Sequence, residues 1–161
     1  MFFDSYGAGR IATLAQEAGY VLVAPRQPLV SGMLSLGDLL DSIEESLPID
    51  RERIDLIGHS MGAGQLIQQV EQNPGLVRSC VVLGGGRAIA KQAAWAKVPV
   101  FAAAGDLDFG KGGVLAFAQS AKSAQAVVEE RIYENVEHLG IVQVSLTDVF
   151  AWLQRNDQAT Q

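Results

Sequence analysis

An open, mostly parallel α/β sheet of about five strands flanked by helices is the fold class this sequence predicts. Three observations predict it. Short apolar runs alternate along the whole chain with longer stretches whose apolar residues recur at helical spacing. Most of the short runs are apolar on both faces, which suits a parallel sheet covered by helices on each side. No repeat, low-complexity segment or linker interrupts the 161 residues, so residues 1–161 read as a single domain with one sizeable core.

Taken in order, the first helical stripe is Ile11, Leu14, Ala15 and Ala18, closed by Gly19, which suits a left-handed helix end. The first strand candidate, Tyr20–Ala24, follows it. A second stripe runs through Leu36, Leu39, Leu40, Ile43 and Leu47 and stops before Pro48. The strand candidate Ile54–Gly58 leads into a stripe through Leu66, Ile67 and Val70. Next come the strand Ser79–Leu83, a short helical run ending near Trp95, and the strand Val98–Ala104. The stripe Val114–Ala121 precedes the last strand candidate, Val127–Tyr133, whose charges mark an edge position. A final stripe joins Leu146, Val149, Phe150 and Leu153. These stripes are core faces. Strand–helix alternation of this kind implies right-handed crossovers, with ligands beyond the carboxyl ends of the strands.

Bulk properties narrow the function. A net charge of −6 argues against a nucleic-acid partner, whose phosphates require a basic surface. The single cysteine, Cys80, lies in an apolar run, so it forms no intrachain disulfide and reads as packing in a reducing compartment. The opening residues lack the basic start, apolar stretch and cleavage site of a signal peptide. No run approaches the roughly 18 apolar residues of a membrane helix. The cytoplasm is the expected location, with no membrane partner. Two histidines and one cysteine are too few and too scattered for a metal site, and no cofactor is expected.

The chemistry sits after the second strand candidate, in Gly58-His59-Ser60-Met61-Gly62, which leads straight into a helix. A serine on a strained strand-to-helix turn projects its hydroxyl from the sheet edge, and glycines on either side allow the close approach. The Met61 N–H then lies at a helix N-terminus, which favours a developing negative charge and suits an oxyanion donor. A serine needs a base. His59 neighbours the serine and cannot easily face it, so it reads as packing or local hydrogen bonding. His138, in a loop past the last strand, is the candidate base. The base needs an orienting acid. Two are available after the strand Val98–Ala104, in Gly105-Asp106-Leu107-Asp108-Phe109-Gly110, and either Asp106 or Asp108 serves. The run Gly84-Gly85-Gly86-Arg87 reads as a tight turn beside the site.

The order nucleophile, acid, histidine resembles that of the α/β-hydrolase superfamily, and within it the small cap-less esterases: dienelactone hydrolases, carboxylesterase/phospholipase-type enzymes and polyhydroxybutyrate-depolymerase-like esterases. The resemblance is carried by residues 19–26, 49–62 and 98–108, by the His138 loop and by the helix residues 148–153, almost the whole chain. It implies a Ser-His-Asp triad of Ser60, His138 and Asp108, because the family's Gly-x-x-Asp loop ends on its acid. Asp106 is then a loop former or a substitute acid. The chain departs from the family at Glu137, where a glycine is common. It also resembles the family only from the first helix onward, so it reads as N-terminally truncated. The strand that the family places between Tyr20–Ala24 and Ile54–Gly58 has no counterpart, nor does the His-Gly loop that supplies a second oxyanion N–H. The gap is expected to close by direct pairing of those two strands, by insertion of Met1–Tyr6, or by another chain. The residues Tyr6-Gly7-Ala8-Gly9-Arg10 open the first helix with N–H groups that are candidates for the second donor.

Two functions follow from these residues. One is a serine hydrolase of small-molecule esters, with an open site because the 14 residues Gly84 to Lys97 leave no room for a lid domain. The other is a non-catalytic, truncated module that binds a ligand or pairs with a partner through its exposed sheet. On either reading a homo-oligomer through the incomplete sheet is expected.

Overall fold

The computed structural model describes residues 7, 9–25 and 35–158. Within them β1 (Asp55–His59), β2 (Ser79–Leu83), β3 (Pro99–Gly105) and β4 (Val127–Tyr133) form one parallel sheet in the order β1-β2-β3-β4. The register places Gly58 beside Val82, Leu83 beside Ala103 and Gly105 beside Tyr133, so the carboxyl ends align along one rim.

Side-chain alternation divides the sheet between two layers. Cys80, Val82, Val100 and Ala102 face α2 (Leu36–Glu44), α3 (Met61–Gln72), α4 (Lys111–Ser123) and the 3₁₀ turn Gln92–Trp95. Val81, Leu83, Phe101 and Ala103 face α1 (Arg10–Glu17) and α5 (Gly140–Gln158). Trp95 packs edge-on to Phe117 in the first layer, and Phe101 packs on Trp152 in the second. Residues this large dominate a core, each contributing about 1.5–3 kcal/mol or more on burial. At the amino ends of the strands, Arg78 joins Asp55, Asp157 and Tyr20, tying β1, β2, α5 and the run after α1 together.

One expected strand does not form. Tyr20–Ala24 keeps the alternation of a strand, with Tyr20 and Leu22 against the α1–α5 layer and Val21 and Val23 exposed. It carries no ladder, however, and among the described residues β1 is a sheet edge rather than a central strand. The physical reason is distance. A cleft of about 640 Å³, lined by Val21, Val23, Leu36, Leu40, Leu56 and Leu66, separates the run from β1, so direct pairing does not close the gap. Met1–Tyr6, the other expected filling, lies outside the described residues. The predicted edge strand Val127–Tyr133 does lie at an edge, where Arg131 and Glu129 pair. No described helix is long and apolar enough to cross a membrane.

Candidate active site

Three loops meet at the carboxyl rim. The first leaves β1 through Ser60, whose backbone adopts φ 56° and ψ −120° as it turns into α3. A non-glycine residue there costs of order 1–3 kcal/mol, held by surrounding structure. That structure includes the Ser60 N–H bond to the Leu83 carbonyl, 2.9 Å, and the contact between strand and helix. A Cβ on Gly58 would meet the Gly62 carbonyl oxygen at 2.6 Å, so only glycine allows this approach. Met61 is the first residue of α3, and its N–H has no acceptor within the helix.

The second loop follows β3. The Leu107 N–H donates to the Val136 carbonyl at 3.2 Å, and the Asp106 Oδ1 accepts the Val136 N–H at 3.3 Å. Lys111 Nζ holds the Asp106 carbonyl at 2.8 Å. Asp106 therefore fastens the acid loop to the loop that carries His138 and makes no bond to that histidine. Asp108 points inward, with its side chain fully buried. Its Oδ1 accepts the Gly110 N–H at 2.6 Å, while its Oδ2 is buried with no hydrogen-bond partner.

The third loop follows β4 and ends at α5. His138 Nδ1–H donates to Asp108 Oδ1 at 2.7 Å, and the Ser60 hydroxyl donates to His138 Nε2 at 2.8 Å. The carboxylate fixes the tautomer: with the proton on Nδ1, Nε2 presents its lone pair to the serine. Phe109 lies against the imidazole, ring centres 3.9 Å apart and tilted by 33°, and His59 lies 4.8 Å away. His59 Nε2–H donates to the His138 carbonyl at 2.9 Å. Burial holds the His59 pKa below the ordinary histidine value despite that bond, which keeps a second cation away from the imidazole.

Ser60 at β1 and Asp108 at β3 face each other across the end of β2. The glycines there make this reach possible. A Cβ on Gly84 would stand 2.7 Å from Asp108 Oδ2, and one on Gly85 would stand 2.6 Å from the Ser60 carbonyl. The tight turn read from the glycine run is thus a contact surface for both.

The structure brings Ser60, His138 and Asp108 into one hydrogen-bonded line and leaves Asp106 outside it. Of the residues proposed as a second oxyanion donor, Tyr6 and Ala8 lie outside the described residues. Gly7 packs against Leu146, and its carbonyl accepts the Arg10 N–H at 3.3 Å. Sequence reading missed the Phe109 stack and the reach of His59 to the His138 loop. The one available signal was the exposed aromatic next to the acid. Cys80 is fully buried, which pushes its thiol pKa well up and makes it a poor nucleophile.

Residues 27–126 match the family described as alpha/beta hydrolase fold, and the chain belongs to that family. No curated protein sequence matches it. Solved structures share its fold. An S-formylglutathione hydrolase from Agrobacterium tumefaciens aligns with a TM-score of 0.69 and 17% identity, over 94% of this chain and 77% of that one. A Bacillus cereus carboxylesterase aligns with a TM-score of 0.65 and 18% identity, over 91% and 81%. Arabidopsis thaliana SOBER1 aligns with a TM-score of 0.58 and 20% identity. The chain spans 60% of the length of SOBER1, and 74% of the chain takes part.

Proposed function

We propose that this chain is a serine hydrolase of carboxylic esters that works by acyl transfer. The observation that carries the proposal is the line from Ser60 Oγ through the His138 ring to Asp108, with both bonds under 3 Å. Two structures of the same fold bear the names carboxylesterase and S-formylglutathione hydrolase, which supports the reaction class.

Ser60 Oγ attacks the ester carbonyl carbon as His138 Nε2 takes its proton. The carbonyl π electrons move to oxygen, and the Met61 N–H holds that oxyanion at the start of α3. Asp108 stabilises the imidazolium and keeps its plane aligned. Collapse of the intermediate breaks the bond to the alkoxy oxygen, which leaves with the proton from Nε2, and acyl-Ser60 remains. Water then loses a proton to Nε2, attacks the acyl carbon and repeats the sequence, releasing the acid and restoring the hydroxyl. With Met61 as its one proposed donor, the site is expected to turn over slowly, since a missing donor costs about 10²–10³ in turnover.

Hydrolysis of p-nitrophenyl acetate tests the proposal. Ser60→Ala should abolish it with an unchanged circular dichroism spectrum. Wild-type rates in that variant would refute the assignment.

A further inference from the structure

Eleven large apolar side chains are exposed in the described residues, and two of them, Val21 and Val23, line the cleft beside β1. Four are arranged differently. Met61 is 69% exposed, Leu107 62%, Phe109 83% and Leu139 77%. Met61 follows Ser60, Leu107 and Phe109 flank Asp108, and Leu139 follows His138. The residues they adjoin are joined by bonds of 2.7 and 2.8 Å, so each of the four has its backbone one residue from the triad. Phe109 lays its ring on the imidazole. None of the four lines the cleft beside β1.

We infer that these four residues form an open apolar collar that binds the acyl chain of the ester, and that they select straight-chain esters over acetate. The inference rests on the acyl-transfer reading and names its substrate class. A carbonyl carbon presented to Ser60 starts its chain among the side chains adjoining the triad; the cleft beside β1, which reaches Gly58, His59 and Gly62, is the alternative path. Each loop that carries a triad residue contributes at least one exposed apolar side chain, beside His59 and the exposed Glu137. Their high exposure makes the collar a platform rather than a pocket. Each methylene laid on it loses water on one side only.

That geometry sets a magnitude. A fully buried methylene is worth about fourfold in affinity, so one half-covered on a platform is worth about twofold. Four methylenes, the difference between acetate and hexanoate, then raise kcat/KM about 15-fold. Such binding is the same in the ground and transition states, so the gain lies in KM while kcat stays level. An enclosed pocket gives an optimum followed by a fall; a platform gives a rise followed by a plateau.

The experiment is a kcat and KM series on dissolved p-nitrophenyl acetate, butyrate, hexanoate and octanoate, beside labelling of Ser60 by a small methyl fluorophosphonate. The expected result is a falling KM, level kcat and a plateau at octanoate. Leu107→Ser with Leu139→Ser should flatten the series, and Phe109→Ser should flatten its first step. A flat wild-type series with Ser60 labelled overturns the collar alone, as does a sharp optimum at one length. A rate that jumps only above the ester's solubility limit also overturns it, and points to docking on an aggregate surface. Absence of label at Ser60 overturns the acyl-transfer reading, and the collar with it.

Discussion

Gly84→Ala is the substitution that the site's geometry should tolerate least. Gly84 has φ +55°, a conformation that costs a side-chain-bearing residue about 1–2 kcal/mol. Its new Cβ would stand 2.7 Å from Asp108 Oδ2, 0.7 Å inside the 3.4 Å of ordinary contact, and 3.2 Å from the His59 ring. Overpacking of this kind costs a further ~1–3 kcal/mol, so the expected loss of stability is about 2–5 kcal/mol. Catalysis should suffer separately. Asp108 Oδ2 has no hydrogen bond to lose, but Oδ1 is held by Gly110 and His138, so any retreat of the carboxylate turns the imidazole away from Ser60. Displacement of about 1 Å at a catalytic group costs ~10² in rate. The assay is urea unfolding by circular dichroism beside kcat/KM for p-nitrophenyl acetate. Gly112→Ala is the contrast: nothing lies within 4 Å of its Cβ and it is the second residue of α4, so it should change stability by less than about 0.5 kcal/mol without altering kcat/KM. Wild-type stability and activity in Gly84→Ala would refute the claim that this turn makes room for the acid.

Further outcomes follow from the same contacts. Asp108→Asn should lower kcat by about 10⁴ by disturbing the tautomer, whereas Asp106→Asn, whose amide oxygen still accepts the Val136 N–H, should cost less than about tenfold. A kinetic ranking in the opposite order would move the acid to Asp106. Burial lowers the His59 pKa below its unfolded value of 6.5, so the unfolded chain takes up the proton first as pH falls. Its contribution to stability is present above pH 6.5 and lost as pH drops through that value toward the lower native one. The fall in urea midpoint between pH 7.5 and 5.5 should therefore be smaller in His59→Gln than in wild type; an equal fall would contradict this. Because β1 lies beside the cleft and is an edge among the described residues, we expect a concentration-dependent dimer or larger species in light scattering. A monomer at every concentration would contradict that expectation.

Much of this architecture was legible locally. Ser79–Leu83 and Val127–Tyr133 form strands with the bounds their composition predicts, and the other two strands begin one residue later than expected. Tyr20–Ala24 was misleading because alternation records which side chains are buried, and pairing depends on a neighbour that no local window contains. The elbow at Ser60 was legible because strand, turn and glycines are consecutive. The arrangement of the two aspartates was not, since Asp106 and Asp108 differ only in the direction the loop gives them. The Phe109 stack and the His59 bond depend on where the His138 loop folds back, which is a long-range outcome.

The proposed reaction stands or falls on Ser60 being a nucleophile activated by His138. Its most direct test is labelling of the purified chain with a fluorophosphonate, followed by mass spectrometry of the peptides. One adduct is expected, on Ser60, absent from Ser60→Ala and slowed by orders of magnitude in His138→Ala. An unlabelled chain, or an adduct on any other residue, would contradict it.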